Sequence, residues 1–169
     1  FAIPVYIIEL LGNNGVYFVC AMGILPLMIM RHIDLSVGGV MLITSMVVSL
    51  IYSFISLPIW IVMILGMLVG GLAGYLNGKI ISHFKVSSVI VTLAMLSLYR
   101  GISRYWFRQN TGGNLQTDLF GKGLKDFMGI PVQSVIIMIV FALTVYILKY
   151  HTIGRRIYAL GENTENARR

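Results

Sequence analysis

Charged residues in this chain are confined to short intervals between long apolar runs. Residues 16–30 carry no charge, and neither do residues 37–60. Between them lies RHIDLSVGGV, residues 31–40, where Arg31, His32 and Asp34 stand together ahead of a group of small residues. The pattern predicts a short apolar segment over 1–11, closed by the turn signal GNNG, then segments over 16–30 and 37–57. Pro58 opens the next, 58–81, at the first helical turn, where its missing N–H breaks no internal bond. A shorter segment, 86–99, is expected to continue as helix past Arg100, and 132–148 is the last apolar run. Residues 107–131 read as a long polar loop with several glycines, and residues 149–169 as a hydrophilic tail. Several runs approach the ~20 residues that a helix needs to cross ~30 Å of hydrocarbon. The expected fold class is therefore all-α: a polytopic helical membrane protein with about five membrane segments, some short or broken.

Composition excludes the soluble alternative. Of 169 residues, 57% are hydrophobic and 11% charged, where ordinary globular domains carry roughly 25% charged residues. The mean hydropathy of +0.86 agrees. A net charge of +7 on a soluble domain would raise the question of nucleic acid. Here the cations lie in the gaps between apolar runs, where they orient helices and meet anionic lipid. Alternating crossings place Arg31, Lys79, Lys85, Lys149, Arg155, Arg156, Arg168 and Arg169 on one side. Arg100, Arg104, Arg108, Lys122 and Lys125 fall on the other, so the first group is expected to be cytoplasmic. Cys20 has no second cysteine to pair with and reads as a small packing residue. The chain starts at Phe1 without a basic leader and stops at ENARR, which reads as a piece of a longer protein.

Within the apolar runs, two kinds of residue stand out. Gly66, Gly70, Gly74 and Gly78 recur every four residues in GMLVGGLAGYLNGK and so lie along one helix face. They are expected to form a helix–helix seam, with a glycine-lined pore wall as the alternative, and bulk at Gly70 or Gly74 is expected to block folding. Asp34 is the sole acid between Glu9 and Asp118. Its carboxylate has two readings, a cap on the N–H groups that open the next helix or a direct solute contact. Ser36, Asn77 and Thr92 complete the candidate solute pathway. Asn77 reads equally as an interhelical hydrogen bond, and Thr92 and Ser97 as hydroxyls bonded back to their own helix. The cluster YRGISRYWFR, 99–108, reads as an interfacial belt of aromatic rings with snorkelling arginines.

Enzyme chemistry finds no foothold. The chain has no H-E-x-x-H, no G-x-S-x-G and no phosphate-binding loop with Lys before Ser or Thr. The FGKG at 120–123 has the Gly-Lys pair but neither the upstream glycine nor the hydroxyl. His32, His83 and His151 are far apart and each borders a basic stretch, so interfacial solvation accounts for them without a metal.

Three blocks occur together and in order: RHIDLSVGGV, GLAGYLNGKIISHFKVSSVIVTLAMLSLYRGI and TIGRRIYALGENTENARR. They resemble the permeases of carbohydrate-uptake ABC transporters of the ribose, xylose and rhamnose branch, with the autoinducer-2 importer permeases the most similar among them. The resemblance implies a bacterial inner-membrane, multi-pass importer subunit, residues 1–169 being the N-terminal half of one transmembrane permease domain. It implies as partners a second permease copy or paralogue, a cytoplasmic ATP-binding subunit that holds the ATP and magnesium, an extracytoplasmic solute-binding protein and the lipid bilayer. No nucleic acid, metal or cofactor of its own is implied. Residues 149–169 would begin the ATPase-docking region, with Gly154, Arg155, Gly161, Glu162, Asn163, Ala167 and Arg168 as its contacts. The chain departs from the family at Ser87 and Ser88, where two prolines are frequent, and at Ala94, where glycine is frequent. Without the prolines the helix is free to start earlier. The rival class is an ATP-independent facilitator or channel, and a membrane scaffold is a third.

Overall fold

The computed structural model describes residues 14–55, 57–109 and 132–162, and every regular element among them is helical. The helices are α1 (Gly15–Ile29), α2 (Val37–Phe54), α3 (Ile59–Phe84), α4 (Ser88–Gln109), α5 (Val132–Tyr150) and α6 (Thr152–Glu162). The expected segments at 16–30, 37–57, 58–81, 86–99 and 132–148 all appear, whereas 1–11 and most of the 107–131 loop lie outside the described residues. Pro58 stands one position before α3, as its N-cap. α4 begins at Ser88, after the Ser87 carbonyl that accepts the Val91 N–H, and runs on through Arg100 as the sequence predicts.

Lengths vary around what a bilayer requires. Within α3 the 24 residues of Ile61–Phe84 span about 36 Å at 1.5 Å per residue, which covers the hydrocarbon core unaided. α5 and α6 pass the same test only as a pair, bent by 69°. α1, with 15 residues, and Val37–Ile51 of α2 are apolar but shorter. α4 is long enough at 22 residues, but its last turns carry Arg100, Arg104 and Arg108. Large apolar side chains are exposed throughout, among them Met28, Met67, Leu72 and Met138. A monomer in water does not leave so much apolar surface uncovered, whereas acyl chains solvate it without cost.

The chain divides into two compact units, Asp34–Gly123 and Phe1–Ile33 with Leu124–Arg169. In the first, α2 packs on both α3 and α4, and these two also touch. The closest approach is at Gly39, where an added Cβ would sit 3.1 Å from Leu96 Cα and from the Leu96 carbonyl oxygen of α4. The α2–α3 seam uses half of the glycine stripe. Gly66 faces Val48 and Thr44, and Gly70 faces Thr44 and Val40, at 3.4–4.0 Å. A Cβ added at Gly74 or Gly78 would meet nothing within 4 Å among the described residues, so the expected four-glycine seam is a two-glycine one. At 3.6 residues per turn each four-residue step drifts by about 40° around the helix, which turns the later glycines away from the face of Gly66 and Gly70.

In the second unit α1 packs on α5 and α6. α1 ends in a hydrogen-bonded stop: the His32 N–H reaches the Leu27 carbonyl and the Arg31 N–H reaches the Met28 carbonyl. Arg31 itself adopts φ 60, the left-handed conformation usually left to glycine, and Lys85 does the same at the end of α3 with φ 53. Each costs about 1 kcal/mol of backbone strain, offset by a cation beside the negative end of a helix. The α5–α6 corner turns at His151, whose Nδ1 accepts the Ile153 N–H at 3.2 Å. An added Cβ at Gly154 would run into the carbonyls of Ile147 and Leu148, and one at Gly161 into the Ile29 carbonyl. Only glycine fits either place.

Gly39→Ala is expected to lower stability by about 1–3 kcal/mol through overpacking against Leu96, and Gly154→Ala by at least as much. Gly74→Ala is expected to be neutral or to stabilise by up to about 1 kcal/mol through helix propensity. Thermal melts of the detergent-solubilised protein check all three, and equal melting of Gly39→Ala and parent would remove the close contact.

Candidate functional site

The segment between α1 and α2 sets up the polar centre of the first unit. Once α1 has stopped at Arg31 and His32, the chain runs extended to Ser36, and Asp34 closes a local turn. Its Oδ1 accepts both the Ser36 N–H, at 2.7 Å, and the Ser36 hydroxyl, at 2.6 Å. This is a carboxylate holding backbone two residues on, as Asp does in turns. The sequence reading placed that cap on the first N–H groups of α2. The structure moves it one step upstream: Ser36 is the N-cap, and its side chain makes no capping bond. The Ser36 hydroxyl is fully engaged elsewhere.

From Ser36 the network crosses to α3 and then to α4. Asn77 Nδ2 donates to Ser36 Oγ at 2.7 Å across 41 residues of sequence. The Tyr99 hydroxyl donates to Asn77 Oδ1 at 3.2 Å, with the Ala73 carbonyl 3.4 Å away as a second acceptor. Ser36, Asn77 and Tyr99 are buried, while Asp34 is half-buried. One hydroxyl therefore donates to a carboxylate and accepts from an amide, and that amide accepts from a phenol. Each donor along the line has an acceptor. Asp34 Oδ2 has no partner among the described residues, so the single charged member of the line keeps one oxygen free at its open end.

Of the four candidate pathway residues, the structure brings Asp34, Ser36 and Asn77 together and leaves Thr92 out. Thr92 is buried on α4 with its hydroxyl on the Val89 carbonyl of its own helix, at 3.3 Å. Ser97 bonds back to Leu93 in the same way. Tyr99 is the member that sequence reasoning missed. It was grouped with the interfacial belt, yet it is 6% exposed, whereas Tyr105 in the same cluster is 70% exposed. The signal lay in its spacing from Arg100, Arg104 and Arg108, which puts Tyr99 off the arginine face of α4.

The remaining candidates separate by role. Gly154 is buried at the α5–α6 corner and Gly161 is pressed against Ile29, so both serve the chain's own packing. Arg155 and Glu162 are exposed on α6. Asn163, Ala167 and Arg168 lie outside the described residues. His32, His83 and His151 are each exposed, and no group of three His, Cys, Asp or Glu side chains among the described residues is placed to hold a metal.

Removing the Asn77 amide takes away the donor to Ser36 Oγ and leaves the Tyr99 hydroxyl with only the longer bond to the Ala73 carbonyl, a cost of about 1–3 kcal/mol for buried groups. Asn77→Ala and Tyr99→Phe are each expected to destabilise the protein. The double variant should lose less than the sum, because the two remove one shared bond. Additive melting shifts would show that the groups act independently.

The chain is similar to known proteins over almost its whole length. A family model described as branched-chain amino acid transport system / permease component matches residues 6–169. The ribose import permease protein of Haemophilus influenzae is 38% identical over 161 residues, covering 93% of this chain and 50% of that protein. The ribose import permease protein of Bacillus subtilis is 32% identical over 169 residues, 97% of this chain and 51% of that protein. The autoinducer 2 import system permease protein of Shigella flexneri is 31% identical over 164 residues, 93% and 46%. The chain thus spans about half the length of the curated relatives it matches. No solved structure matches it significantly. With the family's pattern running through α1 to α6 and the Asp34–Ser36–Asn77–Tyr99 line inside it, the chain belongs to the permease components of the branched-chain amino acid transport system family, which are membrane proteins.

Proposed function

We propose that this chain is part of the transmembrane permease subunit of an ABC importer that moves a sugar or an autoinducer-2-like molecule inward by alternating access. The observation that carries the reading is the 38% identity to a ribose import permease along 93% of the chain. The 31% identity to an autoinducer 2 permease keeps that solute beside ribose as a candidate. In this reading residues 1–169 belong to one permease domain in a bacterial inner membrane, crossing it several times. A second permease copy or paralogue completes the pathway, and an extracytoplasmic binding protein delivers solute. ATP hydrolysis, with its magnesium, is the work of a separate cytoplasmic subunit. The docking surface for that subunit runs from Glu162 into Asn163, Ala167 and Arg168, with Gly154 and Gly161 setting the angle of the helix that leads there.

The polar line supports a role for Asp34 in the pathway. It ties the start of α2 to α3 and α4, and it ends in a half-buried carboxylate with one oxygen free. An ionisable side chain among membrane helices is costly and normally faces a polar cavity or a partner, which makes it a candidate contact on a solute pathway. Movement of α2 between the two access states would carry that carboxylate with it.

Asp34→Asn keeps an acceptor for Ser36 but removes the charge that strengthens it, a difference of roughly 1 kcal/mol. Binding-protein-dependent uptake by the full-length complex in vesicles is expected to fall about fivefold, with ATPase co-purification unchanged. Uptake at the parent rate would make Asp34 a structural turn only. Labelled ribose, rhamnose and autoinducer-2 offered to the same vesicles identify the solute. Flux through the permease in the absence of the ATPase would instead establish a facilitator.

A further inference from the structure

The corner between α5 and α6 holds a second arrangement that the transport reading does not use. The apolar run of α5 ends at Leu148, and the next residue is Lys149. Within a turn the chain bends by 69°. The bend is built in: His151 Nδ1 takes the Ile153 N–H, the Ile147 carbonyl takes the His151 N–H, and Gly154 fits where no side chain would. At its far end α6 is pinned by the contact of Gly161 with the Ile29 carbonyl. The corner forms an open groove of about 470 Å³ lined by Val145, Leu148, Lys149, Arg155 and Tyr158.

This lining is divided by chemistry. Val145 is exposed and belongs to the apolar surface of α5, while Leu148, the other apolar lining residue, is buried. Lys149, Arg155 and Tyr158 supply its polar lining, with Lys149 Nζ 5.5 Å from the centroid of the neighbouring Tyr150 ring, and no acid is among the lining residues. Neither cation pairs with an acid among the described residues. Glu162, the acid on α6, sits seven residues beyond Arg155, roughly 10 Å along the helix. Two cations without an acidic partner, beside apolar lining, match an amphiphile with an anionic head. A free anion would use the cations alone and leave the apolar lining without a partner. The depth agrees as well. The step from Leu148 to Lys149 is where α5 leaves the hydrocarbon, and Tyr at that level is favoured by its mixed character. α6 exposes Ile153 and Leu160 beside Arg155 and Arg156, the composition of a helix lying along a membrane surface.

We propose that the α5–α6 corner is a binding site for one anionic phospholipid, its phosphodiester held between Lys149 and Arg155 and an acyl chain lying along Val145 and the exposed apolar surface of α5. The bound lipid fixes the angle at which α6 leaves the membrane. Arg155 then faces lipid rather than the ATPase. The inference rests on the membrane location of the family and not on the transported solute.

The test uses the full-length permease complex reconstituted in phosphatidylcholine vesicles with and without phosphatidylglycerol. After detergent extraction, the lipid retained per protein is counted by mass spectrometry. The parent protein is expected to retain phosphatidylglycerol over phosphatidylcholine. Lys149→Ala or Arg155→Ala should each cut that preference roughly fivefold and the pair together about 25-fold, the effect of one or two interfacial cations. Lys149→Arg and Arg155→Lys should keep most of it. Equal retention of the two lipids by the parent protein would overturn the proposal, and that arm needs no variant. Displacement of retained phosphatidylglycerol by inorganic phosphate would assign the site to a free anion instead. Retention in the double variant together with loss of the ATPase subunit would assign the cations to protein docking. Failure of uptake with phosphatidylglycerol retention intact would sink the transport reading and leave this one standing.

Discussion

The hydrogen bond from Asn77 to Ser36 spans 41 residues and joins α3 to the start of α2. In hydrocarbon an apolar helix face gains little by choosing one neighbour over another, because acyl chains solvate it as well as leucine does. A buried amide has no such freedom. Left unpaired it costs about as much as several apolar contacts yield, so Asn77 must meet its partner and thereby sets the register of α3 against the start of α2. Tyr99 then sets α4 by bonding the other end of the same amide. Three helices are positioned by one side chain with a donor and an acceptor to satisfy.

Glycine works on a different term. At Gly39 it lets the α2 backbone come within contact of Leu96, and at Gly66 and Gly70 it admits Val48, Thr44 and Val40 into the α3 surface. These approaches add dispersion contacts, which are individually small and need close packing to accumulate. Gly154 and Gly161 have a steric role instead, since each faces a carbonyl oxygen that no Cβ can pass. The two helix stops at Arg31 and Lys85 reverse the usual preference. Both put a cation in the left-handed conformation, trading backbone strain for charge at a helix end that lies near the membrane boundary.

These local devices make the functional reading mechanical as well as comparative. A carboxylate at the head of α2 is wired through Ser36 to α3 and α4, so a shift of one helix alters the environment of the others. At the α5–α6 corner the chain changes direction over a single residue and gathers Lys149, Arg155 and Tyr158 beside apolar lining. The first arrangement handles polarity by burying it in a hydrogen-bonded line, and the second by gathering it at an exposed helix corner.

The spacing of apolar runs was enough to place five of the six described helices, because crossing a bilayer imposes a length and a composition that few alternatives satisfy. The stops at Arg31, His32 and Lys85 were legible as breaks for the same reason. α6 was not, since an eleven-residue amphipathic stretch in a hydrophilic tail has too weak a pattern to be told from a loop. Asn77 was legible as an interhelical bond, but its partners were not. Which hydroxyl meets which amide depends on how three helices rotate about their axes, a quantity that composition and periodicity leave free. That rotation also decided that Tyr99 turns inward while Tyr105 stays exposed, and that only Gly66 and Gly70 of the four-glycine stripe meet α2. By itself the sequence determined a helical membrane protein, its helices and its kinship, because these follow from local pattern and from shared blocks. The tertiary structure alone decided the Asp34–Ser36–Asn77–Tyr99 line and the cationic corner, because both depend on side chains far apart in sequence or turned toward each other by a bend that glycine permits.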